Sequence, residues 1–420
     1  MKLMRTMFIG CLMVAISLVG SECRSIELHF KDPTWSFQAL RTVSATAGGG
    51  ADIGECLKTI YRVKEGDVES WYEEWLKAAV QREKTGDEFA SKDHVKSAGQ
   101  EYLRASSYYR TAEFFLHVNP KDPRILDTWR MSRECFLKYT KRADHPIIQV
   151  DIPFEGVKLP GYLCLVDESG AKRPLIIMHS GFDGTAEELY YNRAVFAVKR
   201  GYNCLLFEGP GQGGVIRELN LPFRPNWETV VTPVVDFALN RKEVDPERIA
   251  LMGISLGGYL APRAVAFEHR VRACIANGGV YDFHAAFVKP DLEKGLDDPA
   301  GRQEIDKEVH NRMKTNSTER WVFGHAMLTF HTESPSEWMR MTRPYTMKDV
   351  ASKIKCPVLV VDSEGDRYLR GQAKKLFEAL QCPKDFILFT NEEGGGEHCQ
   401  FGALRLSNER VLNWLDDVMK

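Results

Sequence analysis

Ser255, Asp366 and His398 lie far apart in the chain, yet they have the residue types and the order needed for nucleophilic attack on a carbonyl. A serine hydroxyl is a poor nucleophile at neutral pH. It needs a base within hydrogen-bond reach, and that base needs a third group to fix its tautomer. Ser255 sits in Gly253-Ile254-Ser255-Leu256-Gly257, between the strand-like Arg248-Ile249-Ala250-Leu251-Met252 and the helix-compatible Gly258-Tyr259-Leu260. A nucleophile elbow requires that strand-turn-helix context: the flanking glycines let backbone segments approach while the serine stands above the sheet.

The partners come later, in the order Ser, Asp, His. Asp366 follows the apolar strand Pro357 to Val361 in Asp362-Ser363-Glu364-Gly365-Asp366, and His398 ends the glycine-rich Gly394-Gly395-Gly396-Glu397-His398. Asp362 and Glu364 compete for the acid's place; Asp362 ends the strand directly and reads as a brace for the loop. The tetrahedral intermediate also needs preorganised donors. The amide of Leu256, next after the nucleophile, is one, and the amide of Phe182 in His179-Ser180-Gly181-Phe182-Asp183-Gly184, preferred over its neighbour Gly181, is the other, with a plain glycine turn as the alternative reading of that loop. Glu208-Gly209-Pro210-Gly211-Gln212-Gly213 lacks the spacing of a phosphate-binding loop and reads as a strand-ending turn braced by Glu208.

The elements that must position these residues change character along the chain. From Gly54 to Asp144 apolar residues recur at three- and four-residue intervals, as in Trp71-Tyr72, Trp75-Leu76 and Ala79-Val80, which predicts helices. Asn119-Pro120 and Asp122-Pro123 interrupt them. No motif recurs at a fixed period, so a repeat array is not expected. After Pro146 short apolar runs alternate with helical stretches, the pattern of a mostly parallel sheet covered on both faces. Eight strands are predicted: 147–151, 161–166, 175–179, 203–208, 249–253, 273–276, 358–362 and 386–389. The expected organisation is a leader over 1–23, a helical accessory domain over 24–145 and a catalytic domain over 146–420. Within the last, residues 284–345, carrying Trp321, Phe323, His325, Phe330, His331 and Trp338, break the alternation and form a candidate cap.

In the helical region Tyr108, Tyr109 and Arg110 offer aromatic surface and a fixed cation suited to an oxygen-rich substrate. Helical spacing prevents all three from facing one way. The alternative is a core tyrosine and a structural ion pair.

With 44% hydrophobic and 27% charged residues and a formal net charge of −2, the 420-residue chain has an ordinary globular composition and no electrostatic case for nucleic acid. A small-molecule substrate is expected instead. The ten cysteines include no CxxC pair and several lie in strand-like runs, which argues for core thiols over a metal site or a disulfide framework. Lys2 and Arg5 precede the apolar run Met7 to Gly20, too short for a comfortable membrane span but suited to a secretory leader cut after Ser21 or Cys23. A secreted protein with no membrane span after leader removal is therefore expected; a cytoplasmic protein with an N-terminal helix is the alternative. Asn316-Ser317-Thr318 is a glycosylation sequon.

Together these motifs are specific. With Gly50-Ala51-Asp52-Ile53-Gly54, Tyr108 to Phe115, Gly181-Phe182-Asp183-Gly184-Thr185, Phe207 to Gly213 and the serine elbow, the chain resembles an α/β-hydrolase family over residues 30–420. That family includes fungal polyketide-shortening hydrolases of pigment synthesis, fusarin-type hydrolases and bacterial 2,6-dihydroxypseudooxynicotine hydrolase. The resemblance implies an α/β-hydrolase fold with a helical region packed over it and frequent homodimers. It also implies carbon-carbon hydrolysis beside a ketone in some members and ester hydrolysis in others. Neither reaction requires a metal or an organic cofactor. The leader departs from the intracellular pattern of many relatives, and residues 284–345 are longer than the matching part of the nicotine-degrading enzyme.

Overall fold

Apolar runs bounded by turn residues become the strands of one sheet in the computed structural model, which describes residue 26 and residues 28–420. The expected leader lies outside these residues. The strands are β1 (Ile147–Phe154), β2 (Val157–Cys164), β3 (Arg173–His179), β4 (Asn203–Phe207), β5 (Val244–Ile254), β6 (Ala273–Asn277), β7 (Val358–Ser363) and β8 (Lys384–Phe389). Their order is β1-β2-β4-β3-β5-β6-β7-β8. β1 pairs antiparallel with β2, and β2 with β4, while all later pairings are parallel. This is the α/β-hydrolase fold.

Burial follows position in the sheet. Every residue of β4 and β6 is buried, as a strand covered on both faces demands, whereas β1 and β8 at the edges alternate with exposed positions. The central strands end at one level, so the loops after β3, β5, β7 and β8 gather at the same edge. In such a sheet the crevice beyond the carboxyl ends is where ligands bind.

Before the sheet come five helices: α1 (Pro33–Ser44), α2 (Ile53–Ile60), α3 (Val68–Ser91), α4 (Val95–Glu113) and α5 (Arg124–Thr140). The first three start at short acidic caps. Asp32 accepts from Thr34 N at 2.8 Å, Asp52 from Gly54 N at 3.0 Å and Asp67 from Ser70 N at 3.1 Å. α1 lies upstream of the stretch in which helical spacing is expected, although Asp32-Pro33 is a cap followed by a proline in the first turn, a recognisable start signal. Its Trp35 stacks on Phe115 at 4.3 Å between ring centroids, and Trp71 of α3 packs edge-on against both. An aromatic core therefore fastens α1 to α3 and to the segment after α4.

Between β6 and β7 the chain leaves the sheet for helices at Phe283–Phe287, Pro290–Glu293, Pro299–Met313, Ser317–Phe330 and Pro335–Met341. The neck of this cap is pinched shut: Phe283 N donates to Tyr345 O at 2.9 Å and Met347 N to Tyr281 O at 2.7 Å. Trp321 of the cap stacks on Phe114 at 4.4 Å, so the cap leans on the chain just after α4. Among the described residues no helix is long and apolar enough to cross a membrane.

Candidate active site

β5 ends at Ile254 and a helix starts at Gly257, leaving Ser255 to make the turn with a left-handed backbone, φ 62°. That conformation costs a non-glycine residue roughly 1–3 kcal/mol and persists only where the surroundings impose it. Here the Ser255 amide donates to Asn277 O at 2.8 Å, and its carbonyl accepts from Gly258 N at 2.7 Å.

The loop after β8 brings His398 over this turn. His398 Nε2 lies 2.9 Å from Ser255 Oγ, and Nδ1 lies 2.6 Å from Asp366 Oδ2. A carboxylate accepts, so Nδ1 carries the proton and Nε2 is the nitrogen turned to the serine. The other oxygen of Asp366 accepts from the amides of Tyr368 at 2.8 Å and Leu369 at 3.0 Å. Burial works to raise the Asp366 pKa, but its bonds to His398 and to these amides outweigh it and hold the carboxyl below its usual range. Burial likewise opposes a charged His398, yet the Asp366 carboxylate lifts the imidazole well above its ordinary value.

The competing acids are elsewhere. Asp362 accepts from the adjacent Ser363 amide at 2.9 Å, and burial pushes its carboxyl up to about 6. Glu364 accepts from Asn391 N at 2.8 Å.

The histidine loop is fixed from below. Cys399 and Gln400 are both left-handed, with φ 56° and 60°. Gln400 Oε1 accepts from Asn277 Nδ2 and from Ser407 Oγ, each at 2.9 Å, and Arg193 Nη2 donates to Cys399 O at 2.8 Å. Asn277 thus holds the serine turn through its carbonyl and the histidine loop through its side chain. Arg193 comes from a π turn over Tyr190–Ala194, a local irregularity often found at functional sites.

The loop after β3 crosses the serine turn at close range. A Cβ placed on Gly181 would sit 2.5 Å from Leu256 N and 2.9 Å from Ser255 Cβ, so only glycine lets this backbone past. The residue before Phe182 thus passes directly against the Leu256 amide and the Ser255 side chain. Glu208 braces the same corner, accepting from Ala186 N at 2.9 Å and Gly214 N at 2.6 Å; burial first, and then Glu187, push its carboxyl up to about 7.

A cleft opens above Ser255, lined by Phe182, Phe283, Phe287 and Trp321 on its apolar side and by Arg41, Asp183 and Glu188 on its charged side. Arg41 of α1 donates to Asp183 at 2.6 Å and, through Nε, to Glu188 at 2.7 Å. Tyr108, Tyr109 and Arg110, expected as substrate contacts, do not line this cleft. Tyr108 donates to Glu55 and Tyr109 to Glu83, each at 2.7 Å, and Arg110 pairs with Asp183 at 2.7 Å. Their helix faces inward to the accessory core, and their polar ends are satisfied there. Arg41 and Arg193 do line the cleft, and Arg41 lies on α1, upstream of the stretch in which helical spacing is visible. Among the described residues, no group of three or more His, Cys, Asp or Glu side chains is placed to hold a metal ion.

The likeness to known proteins runs along most of the chain. The family described as "Esterase FrsA-like" matches residues 41–298, and the prolyl oligopeptidase family matches residues 188–420. The hydrolase acrC of Aspergillus aculeatus is 36% identical, with 91% of this chain and 95% of that protein covered. The 20-hydroxy-prefusarin hydrolase FUS2 of Gibberella moniliformis is 34% identical, with 93% and 97% covered. In the crystal structure of 2,6-dihydroxy-pseudo-oxynicotine hydrolase the same fold recurs with a TM-score of 0.70 at 21% identity, covering 90% of this chain and 95% of that one. Sheet order and sequence likeness converge: the chain is a hydrolase and belongs to the α/β-hydrolase family that contains these fungal enzymes of secondary metabolism.

Proposed function

We propose that the protein is a serine hydrolase in which Ser255 attacks a substrate carbonyl, His398 takes and returns the proton, and Asp366 holds the histidine in its working tautomer. The observation that carries this reading is the unbroken line from Asp366 Oδ2 through His398 to Ser255 Oγ, at 2.6 and 2.9 Å. The amides of Leu256 and Phe182 hold the oxyanion. After the acyl-enzyme forms, His398 activates water, and the second tetrahedral intermediate releases the acid.

The substrate class is a small acyl compound, an ester or a β-diketone of polyketide type. The fungal relatives and the aromatic wall of the cleft support it. In carbon-carbon hydrolysis the leaving group is an enolate, and the proton that His398 took from Ser255 goes to its carbon. Water then supplies hydroxyl to the acyl half, so the products are a carboxylic acid and a ketone. The match to an esterase family favours ester cleavage as the second reading.

A fluorophosphonate should label the parent and not Ser255→Ala, and turnover should vanish with the label. Labelling retained by Ser255→Ala would remove Ser255 from the mechanism. Supplying matched β-diketone and ester substrates then decides which bond is cut.

Two further parts of this reading concern the whole protein. Secretion, proposed from the leader, predicts a mature N-terminus near Glu22 or Arg24 and a glycan on the exposed Asn316. An intact Met1 on an intracellular protein would overturn it. The homodimer implied by family resemblance predicts twice the mass of the mature chain in light scattering.

A further inference from the structure

Two histidines meet in the buried layer between the cap and the helical region. His325, on the cap helix Ser317–Phe330, and His117, just after α4, place their Nδ1 atoms 2.8 Å apart. Both are buried. On its far side His325 Nε2 lies 2.8 Å from the carbonyl oxygen of Phe182, and on its far side His117 Nε2 lies 3.4 Å from Arg217 Nη2.

These partners fix the direction of every proton. A carbonyl only accepts, so His325 Nε2 donates to Phe182 O. Burial, and then the neighbouring His117, disfavour a charged His325, so its Nδ1 is bare and accepts from His117 Nδ1. Burial also disfavours a charged His117, so its Nε2 is bare and accepts from Arg217, a group that only donates; Glu113 Oε1, 3.7 Å from that nitrogen, is paired with Arg217. The chain of donors runs one way, from the Arg217 guanidinium through two imidazoles to the Phe182 backbone.

The packing is built to hold it. A Cβ on Gly324 would fall 2.2 Å from His117 O, so glycine at 324 lets the cap helix approach the His117 backbone. Trp321 lies flat on His325, with ring planes 7° apart and centroids 5.2 Å apart. The Phe182 ring packs edge-on against His325 at 4.6 Å.

We propose that His325 and His117 are a positioning couple that fixes the Phe182 backbone, so that the Phe182 amide points at the oxyanion only when the cap is seated on the helical region. This rests on the oxyanion role given to Phe182 above. Sulfur is a larger and weaker acceptor than oxygen, so a thionoester gains less from a well-placed donor than its oxygen ester.

The test compares kcat and KM for such a pair of substrates. His325→Phe should lower kcat for the ester ~10-fold or more, with KM little changed, and should lower the ester-to-thionoester ratio. His325→Gln, which keeps a donor for Phe182 O, should restore much of that ratio; a ratio as low as that of His325→Phe would count against the couple. If His325→Phe does not fold, His117→Leu is read the same way, because it removes the donor to His325 Nδ1. An unchanged ratio in the folded apolar variant, whatever its rate, overturns the couple while leaving the Ser255 site intact. Turnover retained by Ser255→Ala overturns the site reading itself and the couple with it.

Discussion

Arg41 Nη1 lies 2.6 Å from Asp183 Oδ2, and that contact joins the first helix of the described chain to the loop that carries Phe182. Arg110 reaches the same oxygen at 2.7 Å, and Glu188 completes a group of two cations and two anions in which all but the half-buried Asp183 are buried. Burial alone would raise the Asp183 pKa, but Arg41 and Arg110 hold its carboxyl well below the carboxylate range. Breaking a buried ion pair leaves uncompensated charge and typically costs about 3–5 kcal/mol. Asp183→Ala should lower unfolding free energy by about that much, read from urea denaturation. Because the folded pKa is depressed, this contribution is present above the unfolded-state value and is lost as pH falls through the folded one. The gap between parent and variant should therefore narrow in acid.

Asp366 and Asp362 differ in what they touch, and substitution should separate them. In Asp366→Asn the two amide contacts to Oδ1 can survive, but Nδ1 of His398 loses the acceptor that fixes its tautomer. A loss of roughly 10⁴ in kcat is expected from comparable triads. Asp362→Asn should retain most activity, since Asp362 accepts from Ser363 N while His398 is held by Asp366. The reverse pattern in two folded variants would reassign the acid.

The pH profile follows from the His398 environment. As general base the imidazole must be neutral, and the Asp366 carboxylate, acting against the desolvation of burial, holds its pKa well above the ordinary value. kcat/KM should therefore rise with pH through a free-enzyme pKa above about 6.5. Asp366→Asn removes the charge responsible and should move the midpoint of its residual activity downward. A parent midpoint below the ordinary histidine value would contradict the geometry.

Gly181 tests the oxyanion side without touching the triad. Its side-chain direction is filled by the Ile254 carbonyl and the Leu256 amide, both 2.5 Å from where a Cβ would stand. Gly181→Ala must push the loop off the serine turn and displace the Phe182 amide. Removing one oxyanion donor typically costs 10²–10³ in kcat, and a loss approaching ~10² is expected with KM changed far less. Near-native kcat in a well-folded Gly181→Ala would place the second donor elsewhere.

What the sequence made legible was chemistry tied to local grammar. The run into Gly253-Ile254-Ser255-Leu256-Gly257 carries its own strand, turn and helix, and the eight apolar runs are all strands of the sheet. Edges were harder: β5 starts at Val244, where it meets Arg173 across a register shift, well before its apolar stretch begins. Contacts made only by tertiary packing left no local trace. Arg41, Asn277 and Arg193 act through partners 142, 123 and 206 residues away. Nothing in the spacing of His117 and His325 announces that their rings meet. Tyr108-Tyr109-Arg110 stayed open between substrate contact and scaffold for the same reason: aromatic and cationic character is visible in a sequence, but the carboxylates that absorb it, Glu55, Glu83 and Asp183, are not.

Arg110 supplies the last prediction, because its partners are those of the structural ion pair rather than of a substrate contact. It is buried, bonded to Asp183 at 2.7 Å and close to Glu188 at 3.4 Å, and its guanidinium lies over the Phe114 ring at 5.5 Å. Phe114 in turn carries Trp321 of the cap. Arg110→Gln removes a cation from a balanced group while Arg41 remains, so a destabilisation of about 3 kcal/mol is expected, at the lower end for a broken buried pair. The melting temperature should fall, and turnover of a bulky substrate and of a small p-nitrophenyl ester should fall by the same factor. The residue acts through the shared scaffold of both reactions. Fluorophosphonate labelling of Ser255 should persist in the folded fraction. If the variant instead kept its melting temperature and lost only the bulky substrate, Arg110 would have to reach into the cleft, and the Asp183 pairing would not describe the enzyme at work.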